Sequence, residues 1–169
     1  MNPVNYVEIC FYDPTHDNHG MINKIVSWID GPFCHTELRW PPTSEAVSMY
    51  MGSKVIIRKR DFDESRYTIL KLPCTVQQMT NAYLYAQKLR DEQVKFHLLA
   101  LMPLPPMFSR ERYSYCSKLI ADILQHAGII DLPCTNVSPS HLYRLLTEKK
   151  PQKNFDAIDS RAIVLDFKV

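Results

Sequence analysis

Residues 115–128 constrain this chain more than any other stretch. Leu119, Ile120, Ile123, Leu124 and Ala127 recur at helical spacing and form one apolar stripe, which predicts an amphipathic helix. Gly128 is placed to end it, as glycine does just past a helix C-terminus. Cys116 then falls in the first turn, at the positive end of the helix dipole, where backbone N–H groups have no intrahelical partner. Both features favour a thiolate, and the same N–H groups suit an oxyanion. For a single cysteine the plainer reading is a small, inert core residue. The company of Cys116 argues for more: Tyr115 precedes it, Ser117 follows it, and a histidine lies upstream in a predicted strand.

The chain before that helix is rich in strand formers. Tyr6 to Tyr12 alternates and reads as a strand, ended by Asp13-Pro14. Met21 to Ile29 has helical spacing and is broken by Asp30-Gly31-Pro32. Phe33 to Trp40 reads as a second strand. In it His35, Glu37 and Arg39 share one face, while Cys34, Thr36, Leu38 and Trp40 share the other. His35, at the strand's start, faces either a cleft or an exposed edge. Ala46 to Met51 and Lys54 to Lys59 read as a hairpin about Gly52-Ser53, and Tyr67 to Leu72 as a further strand. The run Arg58-Lys59-Arg60 reads as a solvated strand end.

Helices dominate the second half. Thr75 caps a helix to about Glu92, with Val76, Met79, Tyr83, Ala86 and Leu89 as its buried stripe. Leu98 to Phe108 is apolar and holds three prolines, and its end, Leu104 to Phe108, reads as a core connector or the wall of a pocket. Ser138-Pro139-Ser140 opens another helix, with Leu142, Leu145 and Leu146 inward. Lys149 to Asn154 is loop-like, and Arg161 to Val169 reads as a closing strand.

A chain of 169 residues with no visible linker predicts one domain over residues 1–169. A net charge of +2 and the absence of any nucleic-acid motif argue against a nucleic-acid partner. No apolar run is long enough to span a bilayer, and no basic-then-apolar leader is visible. The five cysteines are an odd number and form no Cys-x-x-Cys pair, which argues against a zinc knuckle and for reduced thiols in the cytoplasm. Asp13, His16 and His19 share one polar loop, where a metal site competes with the simpler account of exposed loop polars.

With strand, helix, several strands, helix and then the cysteine helix in that order, a histidine precedes the cysteine by most of a sheet. The segments Phe33-Cys34-His35-Thr36-Glu37-Leu38, Tyr115-Cys116-Ser117-Lys118-Leu119-Ile120 and Ser138-Pro139-Ser140-His141-Leu142 carry a resemblance. The chain resembles the circularly permuted branch of the NlpC-type, papain-like cysteine hydrolases, which includes YiiX-like proteins, a poxvirus protein family and relatives of lecithin–retinol acyltransferase. The resemblance spans roughly residues 6–146. It implies an α+β, permuted papain-like fold, with an antiparallel sheet packed against helices. It also implies a hydrolase or acyltransferase acting on an amide, peptide or ester bond, with Cys116 as nucleophile and His35 as base, and no cofactor or metal.

The family commonly places an acidic or amide residue on the strand after the histidine strand, and Ser48 stands at that position here. Serine orients an imidazole less strongly than a carboxylate. Glu37, on the face of His35, is the alternative third member. A substrate of peptide, amide or acyl-lipid type fits this reading, and contact with a membrane surface stays open. The competing function is a catalytically inactive binding protein on the same fold, favoured by the serine at the third position.

Overall fold

A computed structural model of the chain describes residues 5–16, 31–96, 113–133 and 135–148. Its architecture is α+β. Five strands form an antiparallel sheet: β1 (Tyr6–Tyr12), β2 (His35–Trp40), β3 (Glu45–Ser48), β4 (Ile56–Lys59) and β5 (Tyr67–Pro73), in the order β4-β3-β2-β1-β5. Three helices follow among the described residues: α1 (Val76–Asp91), α2 (Cys116–His126) and α3 (Pro139–Glu148). Between α1 and α2, the short strands β6 (Lys95–Phe96) and β7 (Tyr113–Ser114) pair in parallel. The helix expected over Met21 to Ile29, the apolar segment Leu98 to Phe108, the loop Lys149 to Asn154 and the strand expected over Arg161 to Val169 lie outside the described residues.

The sheet has two unlike faces, as the alternation in β1 and β2 requires. Val7, Ile9 and Phe11 of β1, Leu38 and Trp40 of β2, and Val47 of β3 form one core with Leu119, Ile120, Ile123 and Leu124 of α2 and with Leu142 and Leu146 of α3. All of these are buried. The helices therefore cover the face predicted to be apolar.

The opposite face carries Glu8, Cys10 and Tyr12 of β1 opposite Arg39, Glu37 and His35 of β2. It is covered as well. Phe62, from the loop after β4, packs with Cys10, Ala46, Tyr67 and Ile69 into a second, smaller cluster. Charges left beneath it are paired. Arg39 Nε lies 2.9 Å from Glu8 Oε2, off the line of a hydrogen bond, with Lys71 Nζ 4.0 Å from the other oxygen.

The caps explain where the helices start and stop. Thr75 Oγ1 accepts the Gln78 N–H and Gln78 Oε1 accepts the Thr75 N–H, a reciprocal capping box for α1. The α1 stripe differs from expectation: Val76 is 54% exposed, and Ala82 and Ala86 are the residues that bury fully. Val76 is the first residue of α1, ahead of the turns that lie on the core. At the end of α2, Gly128 adopts φ +66. Its N–H reaches the Gln125 carbonyl while the Ile129 N–H reaches that of Leu124, so two orphan carbonyls are satisfied.

The hairpin expected between β3 and β4 forms, with shorter strands and a longer connection. Its strands are Glu45–Ser48 and Ile56–Lys59, in antiparallel register. Ser53 is the reason. Its N–H and Oγ both donate to the Tyr50 carbonyl, and Oγ accepts the Tyr50 N–H, closing a tight turn at Tyr50–Ser53 with Gly52 at φ +76. That turn fixes Tyr50 two residues beyond the end of β3.

Candidate active site

The first turn of α2 lies against the first residues of β2. Cys116 opens the helix after Tyr115, whose backbone is extended. Pairing between β2 and β3 runs no further than Leu38 opposite Val47, so the start of β2 is open on that side. Here the Cys116 thiol meets the His35 imidazole and the backbone N–H of Thr36, and a further hydrogen bond comes from the Ser117 N–H. The structure thus brings together the two residues singled out as nucleophile and base.

The electrostatics of the pair follow from those contacts. Burial opposes the thiolate, but the His35 charge, its hydrogen bond and the two backbone N–H donors outweigh it and hold Cys116 below the usual thiol range. Burial likewise opposes the imidazolium. The facing Cys116 sulfur and then the Glu37 carboxylate overcome that, and His35 is pushed up to about 9. Each partner therefore favours the charged form of the other.

The other described thiols behave in the opposite way. Burial first, then the Glu8 and Glu37 carboxylates, pushes Cys10 far up. Cys34 rises to about 12, chiefly by burial and then by its proximity to Cys116, and burial raises Cys74. All four described cysteines are free thiols, and Cys116 alone among them is shifted down.

Of the two candidates for the third position, Glu37 is the one that lies beside the ring. Glu37 Oε1 lies 3.6 Å from His35 Nε2, and the carboxylate is 1% exposed. With Nε2 turned to Glu37, Nδ1 is the nitrogen left for the sulfur. Neighbours two apart on a strand project in parallel, so Glu37 does not point at the ring head-on. It is held beside the ring by other groups. Arg60 Nη1 is 2.7 Å from the same Oε1, and the Tyr50 hydroxyl donates to it at 3.2 Å. Ser48 is buried at the end of β3. Among the described residues no hydrogen bond joins its hydroxyl to His35.

Tyr50 and Arg60 were not visible as site residues from sequence. Tyr50 stacks on the His35 ring with centroids 4.8 Å apart and planes at 21°. Arg60, read as part of a solvated basic run, instead turns inward. Its guanidinium hydrogen-bonds the Tyr50 and Tyr67 hydroxyls and forms an ion pair with Glu37. Arg58 and Lys59 of the same run are exposed. Alternation within the run would have separated Arg60 from Lys59, but nothing local reveals that a carboxylate waits beneath it.

The segment leading into His35 is clipped by α3. Ser140 Oγ accepts the Phe33 N–H at 3.1 Å and donates to the Phe33 carbonyl at 3.3 Å. Gly31, at φ +122, passes so close that a Cβ there would meet Ser140 Oγ at 3.0 Å. Ser138 Oγ caps α3 through the His141 N–H. The Ser-Pro-Ser motif thereby anchors the chain two residues before the imidazole. Ser140→Ala leaves two buried backbone groups without their partner and is expected to cost about 1–3 kcal/mol of stability. Denaturant unfolding of the variant checks this.

The loop considered for metal binding offers less. Asp13 Oδ1 accepts from the Thr15 N–H and hydroxyl at 2.9 and 2.7 Å, while the His16 side chain and His19 lie outside the described residues. Among the described residues no group of His, Cys, Asp and Glu is gathered as a metal site. No described helix is long and apolar enough to cross a membrane. No protein-family model matches this chain, and no curated protein or solved structure matches it either.

Proposed function

We propose that this chain is a thiol hydrolase or acyltransferase of permuted papain-like type, in which Cys116 attacks the carbonyl of an amide, peptide or ester. One observation carries the reading: the His35 imidazole sits against the Cys116 thiol at a helix N-terminus, and each ionisation is shifted toward the charged pair. That is the condition a cysteine nucleophile needs.

The steps follow from the residues in place. The Cys116 thiolate adds to the carbonyl carbon, and the oxygen takes up the negative charge. The Cys116 N–H, an orphan donor of the first helical turn, faces the developing oxyanion. Collapse breaks the bond to the leaving amine or alcohol, which takes its proton from the His35 imidazolium. The product is a Cys116 thioester and neutral His35. Water or an acceptor nucleophile then gives a proton to His35, adds to the thioester and releases Cys116 as thiolate, with His35 again protonated. Glu37 holds the ring's direction throughout.

The test is direct. The protein is incubated with activated acyl esters of several chain lengths and with peptide amides, then quenched and digested. The reading expects an acyl mass on the Cys116 peptide and burst kinetics at one or more of these substrates. If no substrate leaves an adduct, and the slow background hydrolysis is unchanged in Cys116→Ala, the protein is a binder rather than an enzyme. The pH dependence has a defined sign. His35 must carry a proton to protonate the leaving group, so the rate falls as pH rises through about 9. The acid limb lies below the usual thiol range, because Cys116 is shifted down.

A further inference from the structure

Three donors converge on one oxygen of Glu37. Arg60 Nη1 lies 2.7 Å from Oε1, the Tyr50 hydroxyl 3.2 Å, and His35 Nε2 3.6 Å. A carboxylate oxygen has two lone pairs in its plane. The Tyr50 hydroxyl takes one, the Arg60 guanidinium lies against the same oxygen as an ion pair off the line of a hydrogen bond, and the imidazole is left just outside hydrogen-bond range. Tyr50 also stacks on that imidazole, and Arg60 also bonds the Tyr50 hydroxyl. Glu37 is thus shared between a clamp and the ring.

We propose that Tyr50 and Arg60 are positioning residues that set the basicity of His35 by detaining the Glu37 carboxylate. The Tyr50 ring fixes the plane of the imidazole. Arg60, paired with the buried Glu37, withholds Oε1 together with Tyr50 from a full bond to Nε2. A full bond would stabilise the imidazolium and make its proton harder to give to a leaving group. Partial withholding keeps the ring oriented yet able to cycle. The inference rests on His35 acting as acid and base with Cys116.

Other groups face the ring, and none duplicates the clamp. Cys116 approaches from α2. Tyr12 of β1 is the register partner of His35. Tyr67 of β5 pairs with Tyr12 and accepts from Arg60 Nη2 at 2.7 Å. Cys34 adjoins His35 in the chain, with its thiol well above neutrality. Arg58 lies with its guanidinium carbon 5.9 Å from the Tyr50 ring centroid. Among the described residues Glu37 is the one carboxylate within 4 Å of the imidazole.

The experiment follows the His35 ring by NMR across pH in the intact protein, beside the pH dependence of Cys116 alkylation. Arg60→Met frees Oε1. The His35 ionisation is then expected to move up by about one unit, as it does when an opposite charge becomes fully available. Turnover falls at neutral pH and its alkaline limb moves with the ring. Arg60→Lys restores most of the profile. Tyr50→Phe removes one donor, keeps the stack, and shifts the ring in the same direction by less. Arg60→Met strands a buried carboxylate, so if that variant fails to fold, Tyr50→Phe decides. A His35 titration that coincides with the parent's in the folded variants overturns the clamp. Failure of the underlying dyad shows elsewhere: the unsubstituted protein would then show no linked titration of His35 and Cys116.

Discussion

Cys116→Ser is expected to fold as the parent does and to lose essentially all covalent chemistry. The exchange is close to isosteric, and the site around it is built from backbone N–H groups and an imidazole that a hydroxyl also satisfies. What changes is ionisation. A seryl oxygen stays protonated where the thiol is held below its usual range. The acyl adduct disappears and turnover falls by at least about 10³-fold, on the scale seen when a nucleophile is removed. Circular dichroism and an unfolding curve matching the parent's separate this loss from misfolding. A variant that keeps more than a tenth of parental turnover would dismiss Cys116 as nucleophile.

His35→Ala removes the charge that holds the thiolate. Cys116 loses its largest stabilising influence and retains two backbone donors and the helix terminus, while burial still opposes ionisation. Its ionisation is therefore expected to rise to or above the ordinary thiol value of about 8.5. At about pH 6 an ordinary thiol is roughly 0.3% ionised, so alkylation there falls to that residual level. Turnover falls further, because the general acid is gone as well. Glu37→Gln and Ser48→Ala then sort the third position. The geometry assigns the larger loss to Glu37, whose oxygen lies 3.6 Å from Nε2, and treats Ser48 as a packing residue. Glu37→Asp keeps the charge and shortens the reach, which separates orientation from electrostatics.

Short-range pattern accounts for what was legible in the chain. The α2 stripe, its glycine stop, the alternation of β1 and β2 and the Thr75 cap are all local signals, and each element appears where its signal lies. Cys116 and His35 were legible for the same reason: one is fixed by a helix start and the other by a strand start. The rest of the site depends on register between distant strands. Glu37 pairs with Cys10 across β1, and its charge is balanced from the loop after β4. Arg60 looks like its basic neighbours until Phe62 and Tyr67 close over it. Tyr50 is aimed by a turn that Ser53 shapes, three residues away in sequence and invisible in any alternation. Ser48 was favoured by position in the strand order, and the exposed Val76 by helical spacing. Spacing names a face but does not say how far a helix lies along its sheet.

In the proposed mechanism Cys116 is a thiolate ion-paired with His35. This is tested by alkylating the native protein with iodoacetamide across pH and following each cysteine peptide by mass spectrometry. Cys116 is expected to react well below the pH at which Cys10, Cys34 and Cys74 begin to react, and this acid-side reactivity to disappear in His35→Ala. If the Cys116 profile instead rises only in the ordinary thiol range, and the His35 substitution leaves it unchanged, the pair is not an ion pair and the proposed chemistry fails with it.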